Sequence, residues 1–208
     1  MTYLELCQKV REESGVSGTG PDSVTGQVGV LKKICTWVQE ADLEVHRARR
    51  DWRFLWTRNS SSLSASQQEY TLAELNMSQF STLQQVKVSG QSVKVVDWDE
   101  WLAYYDGDIS TGPGVQVVTE SPSGSLLFFP VPDSALPIQV DYFKSAARLL
   151  GNDDQSQIPD DYQDVVVKAA LVKYAKFEED QFLYQSASAD YMVAFKELCR
   201  DQLPKVNF

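Results

Sequence analysis

The chain has little of what catalytic sites are usually built from. Its 208 residues include one histidine, His46, and three cysteines, Cys7, Cys35 and Cys199, with no Cys-x-x-Cys pair. A lone imidazole with the cysteines far away in sequence cannot assemble a zinc site, and no serine stands in a Gly-x-Ser-x-Gly elbow. His46 is therefore expected at the surface or an interface. Phosphate-cradling glycine loops are missing too, since Gly112-Pro113-Gly114 has no lysine beside it. No cofactor and no metal are expected. An odd, unpaired cysteine set fits a reduced, cytoplasmic origin. Basic side chains are few, 19 against 29 acidic ones for a net charge of -10, which argues against a protein that holds nucleic acid by its phosphates. No window is apolar for long enough to span a bilayer, and Met-Thr-Tyr-Leu-Glu lacks the basic and apolar regions of a signal peptide. A soluble, unexported chain is expected, without a membrane partner.

What is present is a 43% hydrophobic content, enough for a real core. It falls in three zones. Leu4, Leu6, Cys7 and Val10 predict a short helix over residues 2–14, stopped at Gly15. Leu31, Ile34, Cys35, Val38, Ala41, Val45, Ala48 and Trp52 keep helical spacing, so a long helix is expected to end around Arg50 to Arg53, its arginines suiting a helix C-terminus. From Phe54 to Leu149 the pattern changes to short alternating runs, such as Ile138-Gln139-Val140-Asp141-Tyr142. Ser89-Gly90-Gln91 and Ser121-Pro122-Ser123-Gly124 are placed as hairpin turns, with a helical turn or two at Asp99 to Tyr105. This reads as an antiparallel sheet. The strand Leu126 to Val131 is apolar on both faces, as a central strand or a subunit contact would be. Ile158-Pro159-Asp160-Asp161 reads as a helix start, leading into a helical hairpin joined near Glu178-Glu179-Asp180 and running to Pro204.

Two clusters invite a chemical reading. Asp97-Trp98-Asp99-Glu100-Trp101 with Asp106-Gly107-Asp108 places carboxylates beside aromatic rings, as a glycoside hydrolase or a calcium site needs, but the calcium-loop pattern of spaced acids ending in glutamate is missing, ordinary strand-to-helix connections have the same composition, and that plainer reading is preferred. Five of the eight arginines lie between Arg47 and Arg58, interleaved with Trp52, Phe54 and Trp56. Such a patch can touch DNA. The net charge favours pairing with the acidic C-terminal hairpin or with a neighbouring subunit instead.

The order of these pieces resembles the adaptor, or head-to-tail connector, proteins beneath the portal of tailed phages. The resemblance rests on Arg-Arg-Asp-Trp-Arg-Phe-Leu-Trp at 49–56, Leu-Phe-Phe-Pro-Val-Pro at 127–132, Val-Asp-Tyr-Phe at 140–143, and Ile-Pro-Asp-Asp-Tyr-Gln-Asp-Val-Val at 158–166, and it spans nearly the whole chain. It implies no reaction and no cofactor. It implies an α+β fold that is mainly a helical bundle, with residues 1–53 and 150–208 helical and an inserted small antiparallel β-subdomain at 54–149. It further implies a virion neck protein: a ring of about 12 copies, closed by repetition of one contact, that binds the portal above and a neck or tail protein below while genomic DNA passes through without specific binding. Arg49, Arg50, Arg53, Leu203, Val206 and Phe208 are the expected partner contacts. The stretch after Pro204 is short where some members extend a longer tail along the portal. The competing readings are a tail-completion or baseplate component and a virion-borne cell-wall glycosidase using the Asp97 to Asp108 carboxylates.

Overall fold

A computed structural model describes residues 1–204. The chain divides into two compact units, Met1–Leu55 with Ala146–Phe208, and Trp56–Ser145.

The first unit is helical. Helix α1 (Tyr3–Ser14) starts on a reciprocal cap in which Thr2 accepts from the Glu5 amide and the Glu5 carboxylate accepts from the Thr2 amide, and it stops at the left-handed Gly15. Helix α2 (Gly29–Arg47) buries Ile34, Cys35, Val38, Ala41 and Val45 along one face. It ends at Arg47, earlier than its apolar spacing suggests, because Trp52 does not continue the helix. Trp52 turns back after it, fully buried, and its indole N–H donates to the His46 carbonyl at 3.1 Å, occupying an acceptor that the helix end leaves open. Helix α4 (Asp164–Phe177) packs against α1, α2 and α5 (Gln181–Gln202), which is why Val165–Val167, Ala169–Leu171, Tyr174 and Ala175 are buried on nearly every side. It is preceded by a single tight turn at Asp160–Tyr162, so the proline-aspartate signal marks that turn and not the helix itself.

The second unit overturns the expectation of a mainly helical bundle carrying a small antiparallel insert. It holds a seven-stranded mixed sheet in the order β1-β9-β3-β4-β6-β7-β2, from β1 (Trp56–Leu63), β2 (Glu69–Thr71), β3 (Phe80–Val88), β4 (Gln91–Val95), β6 (Val117–Glu120), β7 (Ser125–Phe129) and β9 (Leu136–Lys144). The short strands β5 (Thr111–Gly112) and β8 (Val131–Pro132) pair separately. The sheet is mixed because β4 and β6 run parallel, joined by a crossover containing helix α3 (Trp98–Tyr104). The sheet's size was hidden by β1, whose Thr-Arg-Asn-Ser-Ser-Ser lacks apolar alternation yet pairs with β9 along its whole length.

One face of this sheet encloses a core of Leu63, Tyr70, Leu75, Val86, Val118, Leu126, Phe128, Ile138, Val140 and Tyr142. Between the two edge strands the gap is bridged by side chains. Asn59 donates to the Leu75 carbonyl, and the Tyr70 hydroxyl bonds both the amide and the carbonyl of Ser64. The other face of β7 explains its two-sided apolarity, since Leu127 and Phe129 pack with Val96, Val117 and Trp101 under α3. Both expected hairpin turns are present, and at the first of them Ser89 (φ 49°) and Gly90 (φ 81°) take the paired left-handed conformation of a tight two-residue turn.

Candidate interaction surfaces

Several of the side chains that first suggest chemistry are occupied by the fold. Asp97 accepts from the Glu100 amide at 2.7 Å as the N-cap of α3, Glu100 pairs with Lys94 at 2.5 Å, and Asp108 accepts from both the amide and the hydroxyl of Ser110. Those Ser110 bonds hold Asp108 below the usual carboxylate range. Trp101 is buried against Tyr105, whose ring packs on Phe129, so it offers no platform to a sugar. The arrangement is that of a capped helix between two strands.

His46 is not at the surface. It is 3% exposed and lies one turn after Asp42, itself 1% exposed. Its Nδ1 sits 2.7 Å from the Asp42 carbonyl, an atom that only accepts, so Nδ1 carries the proton, and Nε2 has no partner among the described residues. Asp42 Oδ1 accepts from the Ser156 hydroxyl at 2.5 Å, and Ser156 Oγ accepts in turn from the Ile158 amide. Burial raises the Asp42 carboxyl, while His46 and Ser156 pull it down. This knot ties α2 to the segment leading into α4. Sequence reading missed Asp42 and Ser156, although an aspartate and a histidine four apart on an otherwise apolar helix face were a legible signal. Cys7 and Cys35 are buried neighbours in the α1 and α2 packing, and the described residues contain no group of histidines, cysteines and carboxylates able to hold a metal. No described helix is long and apolar enough to cross a membrane.

Sequence reading also missed Arg58 and Asp141. They face each other in register across β1 and β9, and the guanidinium meets the carboxylate through two bonds of 2.7 and 2.8 Å. The Arg58 fork is the first cause holding Asp141 low.

The remaining arginines behave differently. Trp52 stacks on Phe54 (5.4 Å, 22°) and meets the edge of Phe195 (6.1 Å), pinning the turn after α2 to the helical core. On the outside of that turn Arg47, Arg49, Arg50 and Arg53 are all exposed, and none has an ion-pair partner among the described residues. The expected pairing with the chain's own C-terminal hairpin is therefore not made. Leu203 is half-buried where α5 ends, its amide donating to the Cys199 carbonyl. Val206 and Phe208 lie outside the described residues.

Helix α5 is apolar on two sides. Ala187 and Leu198 are buried inward, whereas Phe182 (83% exposed), Val193 (60%) and Met192 (57%) face out, with Ala189 on the same outer side. A chain whose carboxylates cap helices, whose histidine is core, and whose arginines and apolar helix face are left uncovered is built to act through its surfaces, as a structural adaptor does. Residues 1–205 match the model of the SU10 adaptor protein family, and the chain belongs to that family. It is thereby a structural adaptor protein of a phage. Among curated proteins nothing matches.

Proposed function

We propose that this adaptor forms a ring in the virion neck that joins the portal vertex to the tail and continues the DNA channel. Family membership over residues 1–205 carries this reading. The uncovered arginines and the outer face of α5 support it, because a ring subunit must leave complementary surfaces open to two neighbours and to its axial partners. The ring has about 12 copies, each making the same head-to-tail contact. Its work is mechanical. Excess carboxylate gives a wall that DNA crosses without being held, so no sequence-specific contact is needed. Arg49, Arg50 and Arg53 serve contacts between subunits or to the portal. Leu203, with Val206 and Phe208, serves portal docking.

Sedimentation of the purified chain, alone and mixed with portal rings of the same phage, tests this. Co-sedimentation at one copy per portal subunit is the expected result. A chain that ignores the portal and binds the tail tube is a tail-completion component, and the proposal is then wrong.

A further inference from the structure

The helical unit carries two unsatisfied charged ends, and its own geometry keeps them apart. The acidic end is the α4–α5 turn, where Glu178, Glu179 and Asp180 are exposed and form no ion pair among the described residues. The nearby cations do not neutralise it: Lys33 lies 3.3 Å over the Phe177 ring and Lys176 over that of Tyr184. The basic end, with Arg49, Arg50 and Arg53, sits at the far end of α5, where Trp52 contacts Phe195 and Arg49 acts on the Cys199 thiol. The eighteen residue-to-residue steps from Gln181 to Cys199 span about 27 Å at 1.5 Å each. That is several times the reach of a salt bridge, so the two ends cannot meet within one copy. Between them runs the outer face of α5. Phe182, Ala189 and Val193 recur there at i, i+7 and i+11, which places them within about 40° of one line on a helix turning 100° per residue.

We infer that a second copy of this chain covers the outer face of α5, its Arg49, Arg50 and Arg53 set against the Glu178-Glu179-Asp180 turn of the first. Opposite charge at the two ends lets the basic end of each copy meet the acidic turn of the next, a head-to-tail contact that repeats around a ring, whereas a nucleic acid would be repelled by the acidic turn. The inference rests on the ring reading for its place in the virion, but the contact itself is argued from the helical unit alone.

Two charge-reversed variants test it, R49E/R50E and E178K/E179K, with A189D on the apolar strip. All change exposed side chains, and unaltered circular dichroism checks the fold. Assembly is read by sedimentation, free and on portal rings. Each variant alone is expected to self-associate at least about tenfold more weakly than the wild type, and the two reversed variants mixed together are expected to recover most of that loss, because the mixture restores opposite charges at the contact. Portal loading and salt sensitivity unchanged in every variant would overturn the contact and leave the ring reading standing. A wild-type chain that does not bind the portal, with self-association still lost on charge reversal and recovered on mixing, would uphold the contact and remove the ring reading. Loss without recovery on mixing also overturns it.

Discussion

Replacing Ser156 by alanine tests the buried knot at α2, because its cost should depend on pH in a way that an ordinary packing defect does not. The hydroxyl makes two bonds, donating to Asp42 Oδ1 at 2.5 Å and accepting from the Ile158 amide at 3.2 Å. Losing the second leaves a buried N–H unpaired, about 1–2 kcal/mol at any pH. The first is worth about 1 kcal/mol to a neutral carboxyl and about 1.5–3 kcal/mol to a carboxylate. Burial raises the Asp42 carboxyl in the folded state, and the Ser156 bond partly opposes that rise. A carboxyl raised on folding favours the folded state below its unfolded pKa of about 3.9, and that contribution is lost as pH climbs through the folded value. Removing the hydroxyl raises the folded value further. The variant's deficit should therefore be about 2 kcal/mol at the acid limit and grow by about 1 kcal/mol on the way to pH 8. Because the two units need not unfold together, hydrogen exchange of peptides from Gly29–Arg47 is the assay, repeated across that pH range. A deficit that stays flat with pH, or that falls below about 0.5 kcal/mol at pH 7, refutes the coupling of this hydroxyl to the Asp42 carboxyl.

Trp52→Ala should cost the helical unit about 3–5 kcal/mol through the cavity it leaves, and Trp52→Phe about 1–3 kcal/mol because the His46 carbonyl loses its donor, both read by exchange over α2. Ser89→Asn should stabilise the sheet unit by a few tenths to about 1 kcal/mol, since asparagine tolerates the left-handed first position of this turn better than serine; a destabilised variant in urea melts would contradict the turn assignment. Asp97→Ala should weaken the α3 cap by about 0.5–2 kcal/mol and alter no activity on a peptidoglycan zymogram, where a clearing band dependent on Asp97 and Asp99 would revive the glycosidase reading. A chain truncated after Pro204 should lose portal binding, and normal co-sedimentation with portal rings would remove the C-terminal residues from the docking surface.

Helices α1 and α2 were legible because each shows its apolar face once per turn, and the hairpin turns because Ser89-Gly90 and Ser121–Gly124 carry the residues that such turns require. The sheet's size and mixed pairing were not. β1 is held by its register with β9, and its Arg58 is matched by Asp141, a residue far off in sequence. The parallel pairing of β4 with β6 depends on α3 serving as a crossover, which composition alone does not distinguish from a helical turn inside an antiparallel hairpin. Period also misled at the end of α2. Trp52 falls on the apolar stripe by count, but its side chain reaches the core by folding back onto the helix end. The basic patch was visible as residues, yet its lack of partners is a property of three dimensions.

That lack of partners is informative because carboxylates are plentiful. With 29 acidic against 19 basic side chains, a cation placed at random on this surface has an excess of partners to find. Most cations between the helices do find one: Lys9 pairs with Asp164, Lys168 with Glu13, and Lys173 with Glu40 and Glu44, each joining two helices of one unit. Long lysine stems spend their charge on holding the unit together. The arginines after α2 are kept out of this lattice by Trp52, which draws the turn inward at one residue and leaves its neighbours facing solvent. Arginine's fixed fork of donors is the side chain best suited to bind carboxylates on another molecule, because less freedom is lost for each bond formed. If Trp52 is what presents them, Trp52→Ala should weaken self-association and its salt dependence together in chains that remain folded, whereas Tyr3→Ala, a change at another buried aromatic of the same unit, should lower stability without that effect.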